Sequence, residues 1–163
     1  MHRALLFAAW FCALPALAQH VHGEGRLDVA IDRNLLSLDL ELPLDAAVGF
    51  ERAPKNEKET AALAAAQRVL EAVPFVPTPA AGCTLQSKEV VLPFGAGKPA
   101  AAGEHADIDA RYVFRCASPA ALHDVETALF KAFKRLYRLE AQRAGPGGQG
   151  AARLSPNQPA LRW

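Results

Sequence analysis

His20 and His22 stand two apart, and His105 and Asp107 repeat that spacing later in the chain. In extended backbone, residues i and i+2 project to the same side about 7 Å apart along the chain, so a pair of this kind can converge on one ion. Imidazole is a common zinc donor at about 2.0–2.1 Å, and carboxylate oxygens complete mixed shells at similar distances. Two donors make only half of a tetrahedral site, so His20 and His22 need partners from elsewhere. His105 and Asp107, with Glu104 beside them and Asp109 continuing the same face, are the set that a neighbouring strand would bring. The same residues are also what solvated strand ends look like, and charged strand edges discourage edge-to-edge pairing. Spacing alone favours that plainer reading, and both stay open. An amino-terminal copper(II) clip would need histidine at the third position of the processed chain, where Val21 stands, and His123 reads as an exposed residue in the first turn of a helix.

Catalytic patterns are missing. Ser37, Ser87, Ser118 and Ser155 all lie outside a G-x-S-x-G turn, and Ser118 followed by Pro119 reads as a helix cap. Gly23, Gly25 and the run from Gly145 to Gly150 lack the strand-loop-helix setting and the G-K-[ST] ending of a phosphate loop, and read as turns. The chain is therefore read as a non-enzyme. Its 18 basic and 17 acidic residues are scattered without a stripe, which gives no electrostatic basis for nucleic acid or anionic membrane as a partner.

The histidines come just after a segment with the marks of a secretory signal peptide over 1–18. His2 and Arg3 precede an apolar run from Ala4 to Leu14, and Pro15-Ala16-Leu17-Ala18 puts small residues where a signal peptidase reads. The apolar core is shorter than the roughly 18–20 residues a bilayer-spanning helix needs. Cys12 follows Phe11 instead of the small residue a lipoprotein signal wants. The expectation is an exported chain, without membrane insertion or lipid anchor, in which residues 19–163 form one domain. Cys83 and Cys116 are the cysteines left after processing, and an even count in an oxidising compartment predicts a disulfide between them. Metal thiolates would need close companions of the C-x-x-C kind, which neither has.

The elements that must position these groups follow from periodicity. Leu27, Val29 and Ile31, then Leu36, Leu38, Leu40 and Leu42, alternate with polar residues on either side of Asp32-Arg33-Asn34, which predicts a hairpin with one buried face. Asn56 and Glu59 form an N-x-x-E cap ahead of Leu63, Ala66, Leu70 and Val73, a helical stripe that stops at Pro74. A strand from Cys83, a Gly/Ala/Pro loop over 93–103, and a strand holding Ile108, Ala110, Tyr112, Phe114 and Cys116 on one face come next. Leu122, Val125, Leu129 and Phe133, after Ser118-Pro119, predict a second helix over 118–135. Strands near 136–142, 151–154 and 160–163 close the chain, the first two separated by the glycine-rich turn. The expected fold is α+β, a single domain of antiparallel β-sheet with two helices in the order ββαββαββ and one disulfide.

His20-Val21-His22-Gly23, Leu27 to Ile31, Leu38 to Leu42, Gly49-Phe50-Glu51, Cys83, His105, Tyr112-Val113-Phe114-Arg115-Cys116, Leu129-Phe130 and Gly148-Gln149 occur in an order that resembles the ZrgA family of small periplasmic proteins of Gram-negative bacteria. The resemblance spans essentially all of 19–163. It implies a periplasmic Zn²⁺-binding accessory protein that assists zinc uptake alongside an ABC-type importer, with no catalytic activity. His20, His22 and His105 match histidine-bearing family positions, and Cys83 and Cys116 match the family cysteine pair. Where many members carry histidine after G-F-E this chain has Arg52, and where some carry a long His/Asp/Glu-rich insertion it has the short loop over 93–103. With Asp107, the three histidines form the minimum zinc set that the resemblance leaves. The competing class is an envelope interaction or structural module whose histidines bind nothing.

Overall fold

The structure, a computed structural model, describes residues 22–94 and 106–163. β1 (Glu24–Asp32) and β2 (Leu35–Pro43) form the expected hairpin. Leu27, Val29, Leu36, Leu38, Leu40 and Leu42 are all buried on one side of it, as period-two alternation requires. Pro43 ends β2, and the chain turns at once into α1 (Leu44–Val48), a single turn closed by Gly49 in the left-handed region with its N–H on the Asp45 carbonyl. α2 (Glu57–Glu71) is the predicted first helix, and its buried stripe is Leu63, Ala66 and Leu70.

β3 (Phe75–Pro77), β4 (Cys83–Val91) and β5 (Asp107–Cys116) follow, then β6 (Asp124–Thr127), α3 (Leu129–Ala132), β7 (Arg138–Gly145), β8 (Gly148–Leu154) and β9 (Ala160–Arg162). Six strands make the main sheet in the order β4-β5-β2-β1-β7-β8, and β3-β6-β9 make a small second sheet. The result is a mostly β domain with three helices and one disulfide. Cys83 and Cys116 face each other in the β4–β5 register and are bonded, as predicted. No helix among the described residues is long and apolar enough to cross a membrane.

Two expectations are corrected. The helix predicted over 118–135 is a 3-10 turn (Pro119–Ala121), strand β6 and the four-residue α3. Leu122, Val125, Leu129 and Phe133 are all buried at helical spacing, and Phe130 at i+8 also fits it, but Thr127 is buried too and would fall on the opposite side of such a helix. Val125 and Thr127 are β-branched, suit extended backbone, and sit in a strand flanked on both sides, by β3 and by β9. Tertiary pairing overrides the helical pattern here. The second correction concerns strand direction. β7 runs parallel to β1, with Glu24 opposite Arg138, because it enters the sheet from the second layer and no hairpin dictates its direction. The element order is accordingly longer than ββαββαββ, with α1, β3, β6 and β9 added and the second helix reduced to the four residues of α3.

The core lies between the main sheet and α2 with the small sheet. Tyr112 is its largest fully buried side chain; its hydroxyl donates to the Leu70 carbonyl at 2.8 Å, and Phe75 meets its ring edge-on at 5.3 Å. Burial pushes the Tyr112 phenol far above its usual range, so it stays a neutral donor. At the other end of α2, Asn56 accepts the Glu59 N–H at 2.9 Å, while the Glu59 carboxylate takes Arg52 at 2.7 and 2.9 Å and the Lys55 N–H at 2.7 Å. These bonds, that from Arg52 first, lower the Glu59 pKa from 4.5 to about 2. A depressed folded-state value means that the stabilisation is present above the ordinary glutamate range and is lost as pH falls toward about 2. In acid titrations followed by circular dichroism, Glu59→Gln should be less stable than wild type at neutral pH, and the two curves should converge over that window.

Candidate metal centre

One end of the main sheet gathers three turns. His22 precedes β1, Asp45 is in the first turn of α1 just after β2, and Glu51 lies in the segment between α1 and α2. His22 Nδ1 is 3.1 Å from Asp45 Oδ2 and 3.1 Å from Glu51 Oε1. One donor atom from each residue falls within 4.8 Å of the others. Around a tetrahedral zinc with ligand distances near 2.0–2.2 Å, neighbouring donors are about 3.3 Å apart, so this spacing needs little adjustment to accept an ion. The Asp45 side chain is only 16 % exposed, and its Oδ1 is buried without a hydrogen-bond partner. A buried carboxylate oxygen left unpaired is costly, and a cation is the partner that satisfies it best. One nitrogen and two carboxylates form a donor set suited to zinc with positions left open for water or further ligands.

Two glycines let these turns approach a common support. Gly23 has φ 76, and its carbonyl accepts the Tyr137 N–H at 3.0 Å. A Cβ there would stand 2.6 Å from Tyr137 Cε1 and 2.7 Å from the Arg135 carbonyl oxygen. Gly49 has φ 88, and a Cβ would stand 2.9 Å from Arg135 Nε. The 135–137 segment thus supports both the turn that presents His22 and the turn that leads to Glu51, without supplying a ligand itself. Tyr137 also donates its hydroxyl to Glu24 at 3.0 Å. Gly23→Ala should be the more damaging change, because a backbone carbonyl cannot move aside as the Arg135 side chain can. Left-handed backbone alone costs a non-glycine residue about 1–2 kcal/mol. Urea denaturation should show Gly49→Ala near that figure and Gly23→Ala beyond it.

Arg52, next to Glu51, is engaged elsewhere: it pairs with Glu59 and lies over the Phe50 ring at 5.3 Å. That pairing fixes the segment carrying Glu51 to the start of α2.

Of the residues singled out by spacing, His22 is in this cluster, while His20 and His105 lie outside the described residues. Asp107 is the first residue of β5, opposite Pro43, and the neighbouring Ala106 carbonyl accepts the Leu44 N–H at 2.8 Å. It is therefore at the same end of the sheet as Asp45, though not a member of the three-residue group. His123 is exposed, in the loop ahead of β6, with Nδ1 2.9 Å from the Ala121 carbonyl oxygen. Asp45 and Glu51 were missed by the spacing argument. Glu51 carried a signal in Gly49-Phe50-Glu51; Asp45 carried none.

Fold and cluster together define a small, disulfide-bonded, β-rich domain with a mixed nitrogen and oxygen donor set on its rim. The family model described as "ZrgA family zinc uptake protein" matches residues 19–163, and the chain belongs to that family. No curated protein matches it significantly.

Proposed function

We propose that this protein is an exported zinc-binding accessory protein that captures Zn²⁺ as cargo in the periplasm and passes it toward an ABC-type importer, with no catalytic activity of its own. The carrying observation is the convergence of His22 Nδ1, Asp45 Oδ2 and Glu51 Oε1, on a carboxylate whose second oxygen, Oδ1, is buried without a partner. Membership of a zinc uptake family supports the choice of metal. The disulfide and the signal-peptide pattern of 1–18 support the compartment. On sequence grounds His20, two residues before His22, and His105 with Asp107 are the further donors proposed for the coordination positions left open. The exposure of the His22 side chain, 77 %, suits a site that must release its ion as well as take it.

Titration calorimetry at neutral pH tests this reading. The expected result is uptake of a single zinc ion per chain, weakening on acidification because a protonated imidazole cannot ligate. A His20→Ala, His22→Ala double variant should bind far more weakly. No binding heat, and no metal kept through dialysis, would remove the zinc reading and leave the envelope interaction module in its place.

A further inference from the structure

The inner side of β7 runs Leu139, Ala141, Arg143, so an arginine takes a position where the pattern calls for an apolar residue, and it is only 8 % exposed. Its Nη1 donates to the Gly148 carbonyl at 3.1 Å, and the guanidinium lies over the Trp163 ring at 5.4 Å. Among the described residues no carboxylate pairs with it. A guanidinium has five N–H donors, and a buried cation without a counter-charge is held at substantial cost.

Beside it opens a pocket of about 260 Å³ at the end of β1 remote from His22, lined by Ile31, Leu122, Pro146 and Trp163 with Arg143 and Arg33. Arg33 is exposed and pairs with Asp32 at 3.5 Å, a solvated contact that holds it only weakly. Arg33 adds a second anomaly. It occupies the β1–β2 turn with φ 54, in the left-handed region where glycine or asparagine is the ordinary choice, although Asn34 is the next residue. A long cation kept at a strained position on the rim of a pocket that already holds an uncompensated cation points to a ligand rather than to the turn itself.

We propose that this pocket binds a free small carboxylate carried on an apolar body. Arg143 receives the carboxylate through the donors that Gly148 leaves unused, Trp163 and Ile31 take the apolar part, and Arg33 adds positive charge at the rim. Planar guanidinium matches carboxylate in a two-point fork, which neither the carbonyl nor the indole can satisfy. The volume is close to the lower end of small-molecule sites, roughly 300 Å³, and fits a single ring or a short chain.

Benzoate is the probe, and the full chain with Trp10→Phe makes Trp163 the only indole. Benzoate should change Trp163 fluorescence saturably, and the neutral isostere benzamide should not. Arg143→Gln should weaken benzoate binding about tenfold or more, since it removes a charge-assisted fork. Arg33→Gly should weaken binding severalfold and yet raise the melting temperature by about 2–4 °C, because it relieves the left-handed strain. Opposite signs on binding and stability separate a ligand role from a structural one. If Arg143→Gln does not fold, the benzoate–benzamide contrast and Arg33→Gly decide the matter. Equal binding of benzamide, full binding by Arg143→Gln, or no saturable response to benzoate would overturn the proposal. So would a short peptide ending in a free phenylalanine carboxylate that binds where benzoate does not, which would make the occupant a chain terminus.

Discussion

Asp45→Asn should lower zinc affinity on the order of 100-fold while leaving the metal-free protein at least as stable as wild type. The affinity loss follows from the donor set. Structural zinc sites with four donors are worth roughly 10–16 kcal/mol, so one donor carries a few, and a factor of 100 is about 2.7 kcal/mol. Asp45 is the least replaceable of the three candidate ligands, since its side chain is 16 % exposed against 77 % for His22 and 43 % for Glu51. The stability half follows from the same geometry. Oδ1 of Asp45 is buried without a partner, and Glu51 places a second negative charge within 4.8 Å in the same cluster. An amide of the same shape removes one of those charges and gives up only the contact to His22 at 3.1 Å, which is largely solvated. Calorimetric zinc titration and urea unfolding of the apo protein give the two readouts. A variant that binds zinc normally would exclude Asp45 as a ligand, and a large stability loss would make the His22–Asp45 pair a structural ion pair.

The β1–β2 hairpin, the Asn56-capped helix, the Cys83–Cys116 bond and the strand through Leu139 and Ala141 were all legible in the sequence, because each rests on local periodicity or on cysteine count. The 118–135 segment misled because a buried strand followed by a short helix happens to bury residues at helical spacing. Thr127, buried off the stripe, is what departs from the pattern, and its burial is a tertiary fact. α1 has five residues, too few for any period to register.

The candidate site was half legible for a related reason. Donors at i and i+2 are those that one strand holds side by side, and His22 belongs to such a pair. The site instead joins the ends of three segments, at the entry to β1, the exit from β2 and the approach to α2. Such a meeting depends on the sheet order and on two left-handed glycines leaning on 135–137, neither of which is written in the spacing of histidines.

Replacing both Cys83 and Cys116 with alanine should cost roughly 3–4 kcal/mol of unfolding free energy, the chain-entropy value for the 33-residue separation. The loss should also be uneven across the sheet. β4 is an outer strand, exposed along most of its length, with a register shift between Leu85 and Ser87 and only β5 beside it. Its anchors are the Cys83–Cys116 rung at one end, the Lys88 ammonium on the Glu71 carbonyl, and the half-buried Val90. Without the covalent rung, β4 amides should exchange with deuterium much faster than those of β2, which is paired on both sides and fully packed. Dithiothreitol should shift the urea midpoint of the wild type toward that of the double variant and leave the variant unmoved. A drop under about 1 kcal/mol with uniform exchange would mean that the strand is held by its ladder alone and that the bond adds little to a structure already complete.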